Sequence, residues 1–220
     1  MKVLGTFLFG SQNYNLDNKD SDEDYKVIVM PEWEDLYYGR KLDSKKDEHN
    51  QVWDVRTFFT QVLKANHNAL ELLFSVKQNF YDEDFENFVN MLRANVGWII
   101  ANNRQGYYHS LHGNAIQSYK RDPLSRKQVS RAIYLIHLLE LTMNDNFSMT
   151  NYTWRSRGYT FAREVRYLDS VPIPSFEEIE EDFAAIYANP IWRLEPTENQ
   201  KEFYKTLTYK MEQFVKSKIK

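Results

Sequence analysis

The chain contains no cysteine, and it has only seven glycines and six prolines among its 220 residues. Without cysteine, neither a disulfide framework nor a thiolate zinc site can form. The small number of glycines and prolines argues against low-complexity linkers and favours a mostly helical chain. Long apolar runs are also missing, so no segment is typical of a secretory signal or a membrane span. We therefore expect a cytoplasmic protein without a membrane partner.

The charges nearly balance, with 28 lysine and arginine residues against 31 aspartate and glutamate residues and a net charge of −3. Such a chain is not a polycation suited to duplex DNA, so contact with nucleic acid needs a local basic patch. Apolar residues make up 42% of the chain and aromatic residues 15%, enough for a core in one large or two small domains. The phosphate loop of ordinary ATPases and the nucleophile elbow of hydrolases are absent.

A turn of small residues separates the first predicted strand from an acidic loop. Residues Val3–Phe9 predict a buried strand, and the β-branched and apolar residues of Tyr25–Met30 predict a second. Gly10 and Ser11 directly follow the first strand. Their backbone N–H groups and the serine hydroxyl are donors of the kind that phosphate oxygens require. We therefore expect a phosphate site at this turn.

Two acids stand where the second strand begins. Because side chains alternate along a strand, Asp22 and Asp24 point to the same side and Glu23 points away. Two adjacent carboxylates stay ionised together only with a cation between them, and such oxygen ligands suit Mg²⁺ or Mn²⁺. A hand-type calcium loop is excluded, because Tyr25 stands where it needs glycine and Pro31 where it needs glutamate. The remaining alternative is that both acids are solvated loop charges.

This arrangement resembles the active-site signature of the DNA polymerase β-like nucleotidyltransferase superfamily. That signature has Gly-Ser after one strand, a spacer, Asp-x-Asp on the next strand and a third acid on a neighbouring strand. Asp54, in the apolar segment 52–57, is the candidate for the third acid. Residues 21–26 (SDEDYK) and 64–75 (KANHNALELLFS) are similar to nucleotidyltransferases of bacteria and phages, some of them associated with RNA repair. The likeness is specific over residues 1 to about 76.

The resemblance implies a metal-dependent reaction. Asp22, Asp24 and Asp54 would hold Mg²⁺ or Mn²⁺, with two ions in the site, and Asp54 would accept the proton of the attacking hydroxyl. A nucleoside monophosphate would pass from an NTP to a hydroxyl acceptor, and pyrophosphate would leave. The family likeness suggests RNA or tRNA as the acceptor.

The resemblance also implies contacts to the triphosphate. Gly10 and Ser11 would bind its phosphates, and the helical region of this superfamily typically supplies cations. Lys127 and Arg131 are spaced to share a helix face and are the candidates. The alternative for this basic cluster is a solvated surface.

Within the first class of function, a nucleotidyltransferase, the acceptor stays open between RNA, a protein and a small molecule. Two other classes of function also stay open. A second class is a non-catalytic or regulatory nucleotide-binding module, such as one partner of a toxin–antitoxin pair. A third class is a structural α/β protein with an acidic loop. Nucleotide binding that requires magnesium separates the first two classes from the third, and pyrophosphate release separates the first from the second.

The order of the patterns predicts an α+β fold, with a small mixed-sheet core and a mostly helical C-terminal region. We place the nucleotidyltransferase core at residues 1–80 and a helical domain that completes the cleft at residues 81–220. Apolar spacing predicts one long helix of about five turns over 85–99. Two capping boxes, at Ser175 and Thr197, predict the starts of later helices. The further expectations are a strand over 52–57, helices over 105–121 and 126–141, and a loop over 144–159.

Overall fold

A computed structural model describes residues 1–13, 16–17, 22–42, 50–144 and 157–219. Over these residues the expected α+β class is confirmed, with a four-stranded mixed sheet followed mainly by helices. The strands are β1 Lys2–Phe9, β2 Asp24–Met30, β3 Asn50–Asp54 and β4 Gln78–Phe80.

Ten α-helices lie within the described residues. They are α1 Trp33–Tyr37, α2 Val55–Leu63, α3 His67–Leu73, α4 Glu83–Ala94, α5 Val96–Asn102, α6 Arg104–Arg121, α7 Arg126–Asn144, α8 Arg157–Tyr167, α9 Phe176–Tyr187 and α10 Glu198–Lys218. A short 3₁₀ helix, Pro190–Arg193, precedes the last of them. No helix in the described part of the chain combines the length and the apolar character needed to cross a membrane.

The sheet has the strand order β3-β2-β1-β4. Strand β1 pairs antiparallel with β2 and with β4, whereas β2 and β3 are parallel. In this register Phe9, the last residue of β1, lies opposite Asp24, the first residue of β2. The turn after β1 and the start of β2 therefore meet at one edge of the sheet.

Aromatic side chains fill the space between the sheet and its helices. Phe7 of β1 is fully buried and stacks on Phe58 of α2, with ring centroids 6.5 Å apart. The edges of Phe80 and Phe85 also meet the Phe7 ring. Offset and edge-on ring pairs of this kind add to the free energy gained from apolar burial. The high aromatic content of the sequence is therefore used in part to build this core.

The chain divides into two compact units that differ from the predicted division at residue 80. The first unit combines Met1–Asn102 with Pro196–Lys220, and the second is Asn103–Glu195. Helix α10 belongs to the first unit because the Phe214 ring packs against Phe59 and Phe85, at centroid distances of 5.7 and 6.0 Å. The predicted boundary at residue 80 therefore falls inside the first unit.

Helices α6 to α9 form the second unit. The guanidinium of Arg126, at the start of α7, donates hydrogen bonds to the carbonyl oxygens of Val165, Asp169 and Val171. Three backbone carbonyls at the end of α8 and just beyond it are thereby satisfied by one side chain. This arginine ties α7 to the α8 terminus.

Several helices and strands begin or end at residues other than those predicted from the sequence. Strand β3 stops at Asp54, because the Asp54 carboxylate caps helix α2 instead of continuing the strand. The predicted long helix over 85–99 is broken at Asn95, whose side-chain amide donates to the Met91 carbonyl. The capping boxes at Ser175 and Thr197 are confirmed. The loop predicted over 144–159 lies mostly outside the described residues, and α8 begins at its end.

Candidate functional site

The turn after β1 brings Gly10 next to the Asp24 carboxylate. Gly10 has a φ of 82°, in the left-handed region that glycine adopts without steric cost. A Cβ atom built on Gly10 would lie 3.4 Å from Oδ2 of Asp24, which is an ordinary contact distance. The predicted small-residue turn and the second predicted acid therefore lie side by side.

The carboxylates of the acid pair have no protein partners within the described residues. Asp22 is exposed and Asp24 is half-buried, and neither makes a hydrogen bond or an ion pair with that part of the chain. Glu23, between them, accepts hydrogen bonds from the Tyr25 hydroxyl at 2.5 Å and from Nζ of Lys77 at 2.9 Å. These bonds, the one from Tyr25 first, hold the pKa of Glu23 below its usual value. Within the described residues Asp22 and Asp24 are thus available to a ligand; Asp22 precedes β2, which begins at Asp24.

Ser11 is also available. Its carbonyl accepts a hydrogen bond from the Leu16 N–H at 2.9 Å, which closes the turn. Its hydroxyl and its N–H group make no hydrogen bond with the described residues. Ser11 therefore keeps the donors that a phosphate needs.

Gly10 takes a different role from the expected one. Its N–H group donates to Oε1 of Glu71 at 3.0 Å, so it is already used and does not point to a phosphate. This corrects the expectation that the Gly10 N–H is a phosphate donor. Gly10 shapes the turn, and Ser11 supplies the donors.

Asp54 does not join the acid pair. In the parallel β2–β3 register Asp54 lies opposite Val29, five residues beyond Asp24 along the sheet. At about 3.3 Å per residue this is a separation of about 16 Å, and the odd spacing places Asp54 on the other face. The expectation of three acids at one sheet edge is therefore wrong for Asp54.

Asp54 has a structural role instead. It is fully buried, it accepts the Arg56 N–H at 2.8 Å as the cap of α2, and it pairs with the Arg56 guanidinium at 2.6 Å. The same guanidinium donates to the Arg40 carbonyl. A buried carboxylate with this many donors is committed to holding α2 and the segment after α1.

A buried cation follows the acid pair on β2. Lys26 is two residues beyond Asp24 and therefore on the same face, and only 4% of it is exposed. Its Nζ lies 3.6 Å from the centroid of the Trp53 ring and 5.0 Å from that of Phe9. The rings provide cation–π stabilisation for a charge that would otherwise be costly to bury.

Lys127 and Arg131 lie on α7, in the second unit. Lys127 is exposed, and Arg131 is half-buried with an Nε atom that has no partner among the described residues. Both keep polar atoms that could meet a phosphate. Their assignment as triphosphate contacts stays a prediction.

The two carboxylates of Asp22 and Asp24 suit a metal ion whose remaining ligands are substrate phosphates and water. No group of three or more His, Asp or Glu residues in the described chain is arranged to hold a metal ion. Among the described residues, Asp22 and Asp24 offer two carboxylates with no competing partner. Mg²⁺ is commonly bound through one or two carboxylates together with substrate phosphates and water, so the residues present fit a magnesium–nucleotide complex.

Comparisons of the chain with protein-family models, with curated proteins and with solved structures found no match. The resemblance to polymerase β-like nucleotidyltransferases therefore depends on the sequence positions of Gly10, Ser11, Asp22 and Asp24 and on the contact between Gly10 and Asp24.

Sequence reasoning did not assign a role to Glu71 or Asn13. Glu71 is 2% exposed and Asn13 is 1% exposed, and Glu71 accepts hydrogen bonds from Gly10 and from Asn13 in the turn that carries Ser11. One signal was present in the sequence, because Glu71 stands between Leu70 and Leu72 on a helix whose other residues are largely apolar. An acid in such a position is either paired or functional.

Proposed function

We propose that the chain is a metal-dependent nucleotidyltransferase that moves a nucleoside monophosphate from an NTP to a hydroxyl acceptor. One observation carries the proposal. Asp24 lies beside Gly10 of the turn, and the carboxylates of Asp22 and Asp24 and the donors of Ser11 have no partner within the described residues, whereas Glu23 pairs with Lys77. A phosphate site beside a cation site is the arrangement that phosphoryl transfer requires.

The residues of this site have separate tasks. Asp22 and Asp24 would hold the magnesium of the nucleotide complex, and Ser11 would donate its hydroxyl and N–H to phosphate oxygens. Bound Mg²⁺ supplies neutralisation of the phosphate charge. The contribution of the chain is positioning, since it holds nucleotide and acceptor in line and excludes other geometries. Lys127 and Arg131 are proposed as additional contacts to the triphosphate, and RNA or tRNA is proposed as the acceptor.

A second function is nucleotide binding without transfer. The observation that favours it is the position of Asp54, which lies opposite Val29 and not beside Asp24, so that no third acid among the described residues joins the pair in a metal-holding group. Two carboxylates are enough to bind a magnesium nucleotide, whereas transfer also needs a group that takes the proton of the acceptor hydroxyl. A regulatory module of this kind would bind NTP and release no pyrophosphate.

The test is incubation with each NTP, labelled at the α-phosphate, with Mg²⁺ or Mn²⁺ and with or without total RNA. We expect label in RNA and release of pyrophosphate. Label on the protein would identify self-modification or a protein acceptor instead. Binding of nucleotide without any transfer would support the second function, and no magnesium-dependent binding would contradict both.

Variants of the acid pair make the test specific. Asp22→Asn and Asp24→Asn should each abolish transfer and weaken magnesium-dependent binding by about tenfold or more, because each removes one of two carboxylate ligands. Glu23→Gln is the matched control, since it is the same chemical change between the two positions and Glu23 pairs with Lys77. It should leave activity unchanged. Full activity in Asp24→Asn would contradict the proposal.

A further inference from the structure

Glu71 is an acid inside an apolar helix. It is 2% exposed in α3, and its neighbours Leu70 and Leu72 are fully buried. Burying a carboxylate is unfavourable unless hydrogen bonds or charges replace the lost water. The partners of Glu71 therefore indicate why an acid stands at this position.

Two of those partners belong to the turn after β1, about sixty positions earlier in the chain. Oε1 of Glu71 accepts the Gly10 N–H at 3.0 Å and the side-chain amide of Asn13 at 3.1 Å. The Oδ1 atom of the same Asn13 side chain accepts a hydrogen bond from the Val76 N–H at 3.0 Å. Oε2 of Glu71 lies 4.0 Å from Nε2 of His67, one helical turn earlier. One carboxylate thus joins the turn to α3 and, through Asn13, to the segment after it.

The same contact fixes which groups of the turn face a ligand. With its N–H bound to Glu71, Gly10 keeps its left-handed φ of 82° and its position beside Asp24. The next residue, Ser11, then has its hydroxyl and N–H without partners among the described residues. Hydrogen bonds shielded from water are stronger than exposed ones, so the bonds to the buried Glu71 can hold such a turn.

We propose that Glu71 is a positioning residue, which holds the Gly10–Ser11 turn so that Ser11 meets the phosphates of a nucleotide bound at Asp24. This inference rests on the proposed function of the same site. Glu71 is not assigned as a ligand, because it is buried and its Oε1 already accepts hydrogen bonds from Gly10 and Asn13 of the turn. Its removal should therefore lower phosphate affinity without removing the metal ligands.

The test compares three variants of the full chain. Glu71→Leu keeps the size and removes both acceptor oxygens, and Glu71→Gln keeps one acceptor oxygen for Gly10. Asp54→Asn is the matched control, since it changes a buried carboxylate at the far end of the sheet. The probe is magnesium tripolyphosphate, which carries the phosphates without a base, and affinity is measured by titration calorimetry well below each melting temperature.

We expect Glu71→Leu to weaken tripolyphosphate binding by about tenfold or more, Glu71→Gln to retain most of the affinity and Asp54→Asn to bind like the unaltered chain. A structural role alone would lower the melting temperature of Glu71→Leu and of Asp54→Asn while leaving both affinities equal. That result would overturn the proposal.

A second measurement separates this inference from the proposed function. Amide hydrogen exchange of Gly10, followed by NMR, should be slow in the unaltered chain, intermediate in Glu71→Gln and fast in Glu71→Leu, and it needs no ligand. If exchange follows this order but the unaltered chain does not bind tripolyphosphate, the proposed function fails and the turn contact stands. Equal Gly10 exchange in all three proteins would overturn the role of Glu71.

Discussion

At the scale of single residues, Gly10 couples backbone conformation to the geometry of the site. Its φ of 82° is one that a residue with a Cβ atom adopts at a cost of about 1–2 kcal/mol. A Cβ atom would meet Oδ2 of Asp24 at an ordinary contact distance of 3.4 Å, so steric exclusion is not the main constraint. The constraint is conformational: a residue that relaxes to negative φ would turn Ser11 away from Asp24.

Gly10→Ala should therefore destabilise the chain by about 1 kcal/mol and also weaken binding of magnesium tripolyphosphate. Gly39→Ala is the control, because Gly39 has a similar φ of 63° and open space where a Cβ atom would stand, away from the site. It should lose the same stability and keep its affinity. Denaturant unfolding and calorimetric titration measure the two effects. Equal affinities for both variants would show that the turn conformation does not matter for binding.

At the scale of elements, local patterns predicted most of the secondary structure. Alternation and β-branched residues predicted β1 and β2, and the reciprocal Ser175–Glu178 and Thr197–Gln200 pairs predicted two helix starts, because these signals lie within a few residues of each other. The three-residue edge strand β4 was not predicted, since Gln78–Phe80 is too short to show a pattern.

The position of Asp54 could not be read from the sequence, because strand register depends on pairing between distant segments. Residues 50–54 look like any short strand, and only the pairing of Asp54 with Val29 shows that it lies far from Asp24. Asp22 and Asp24 could be proposed as a pair from the sequence because they are only two residues apart. The contact of Glu71 with Gly10 spans 61 residues, so it was not.

One ion-pair network joins the last helix to the sheet. Lys218 of α10 donates to both oxygens of Asp82, at 2.8 and 2.9 Å, and Lys2 of β1 donates to Oδ2 at 2.6 Å. Burial raises the pKa of Asp82, but the hydrogen bonds from Lys2 and Lys218 outweigh it and lower the pKa from 3.8 to about 2. The network therefore depends on the ionised form of Asp82.

This shift predicts a loss of stability in acid. Because the pKa of Asp82 is lower in the folded chain than in the unfolded one, its contribution is complete above about pH 4 and is lost as the pH falls towards 2. The contribution is about 2 kcal/mol. Asp82→Asn should be less stable than the unaltered chain at pH 5 by about that amount, with the difference mostly gone at pH 2. Denaturant unfolding at both pH values measures it, and a pH-independent difference would contradict the ionic origin.

At the scale of the whole molecule, the second unit interrupts the first in the chain order. The first unit ends its N-terminal part at Asn102 and resumes at Pro196. The side-chain amide of Asn102 donates to the carbonyl of Gln200 at 2.8 Å, so the two ends of the interruption lie close together. Both ends belong to helices that pack within the first unit.

A shortened chain in which a glycine–serine linker replaces residues 103–195 should therefore fold. We expect it to keep magnesium-dependent binding at Asp22 and Asp24, with lower affinity for tripolyphosphate if Lys127 and Arg131 contact the phosphates. A full-length Lys127→Ala, Arg131→Ala double variant should then show the same reduction. Circular dichroism reports folding and calorimetry reports affinity. An unfolded shortened chain would contradict the independence of the first unit.

The interruption also has a consequence for the order of events during synthesis. Domains generally fold as their residues emerge, from the N-terminus onwards. Phe59 and Phe85 lie in the N-terminal part, yet their ring partner Phe214 is made only after the whole of residues 103–195. While the later unit is translated, the nascent sheet therefore lacks the cover that Phe214 gives to these rings. The first unit can therefore complete its folding only after the second unit has been translated.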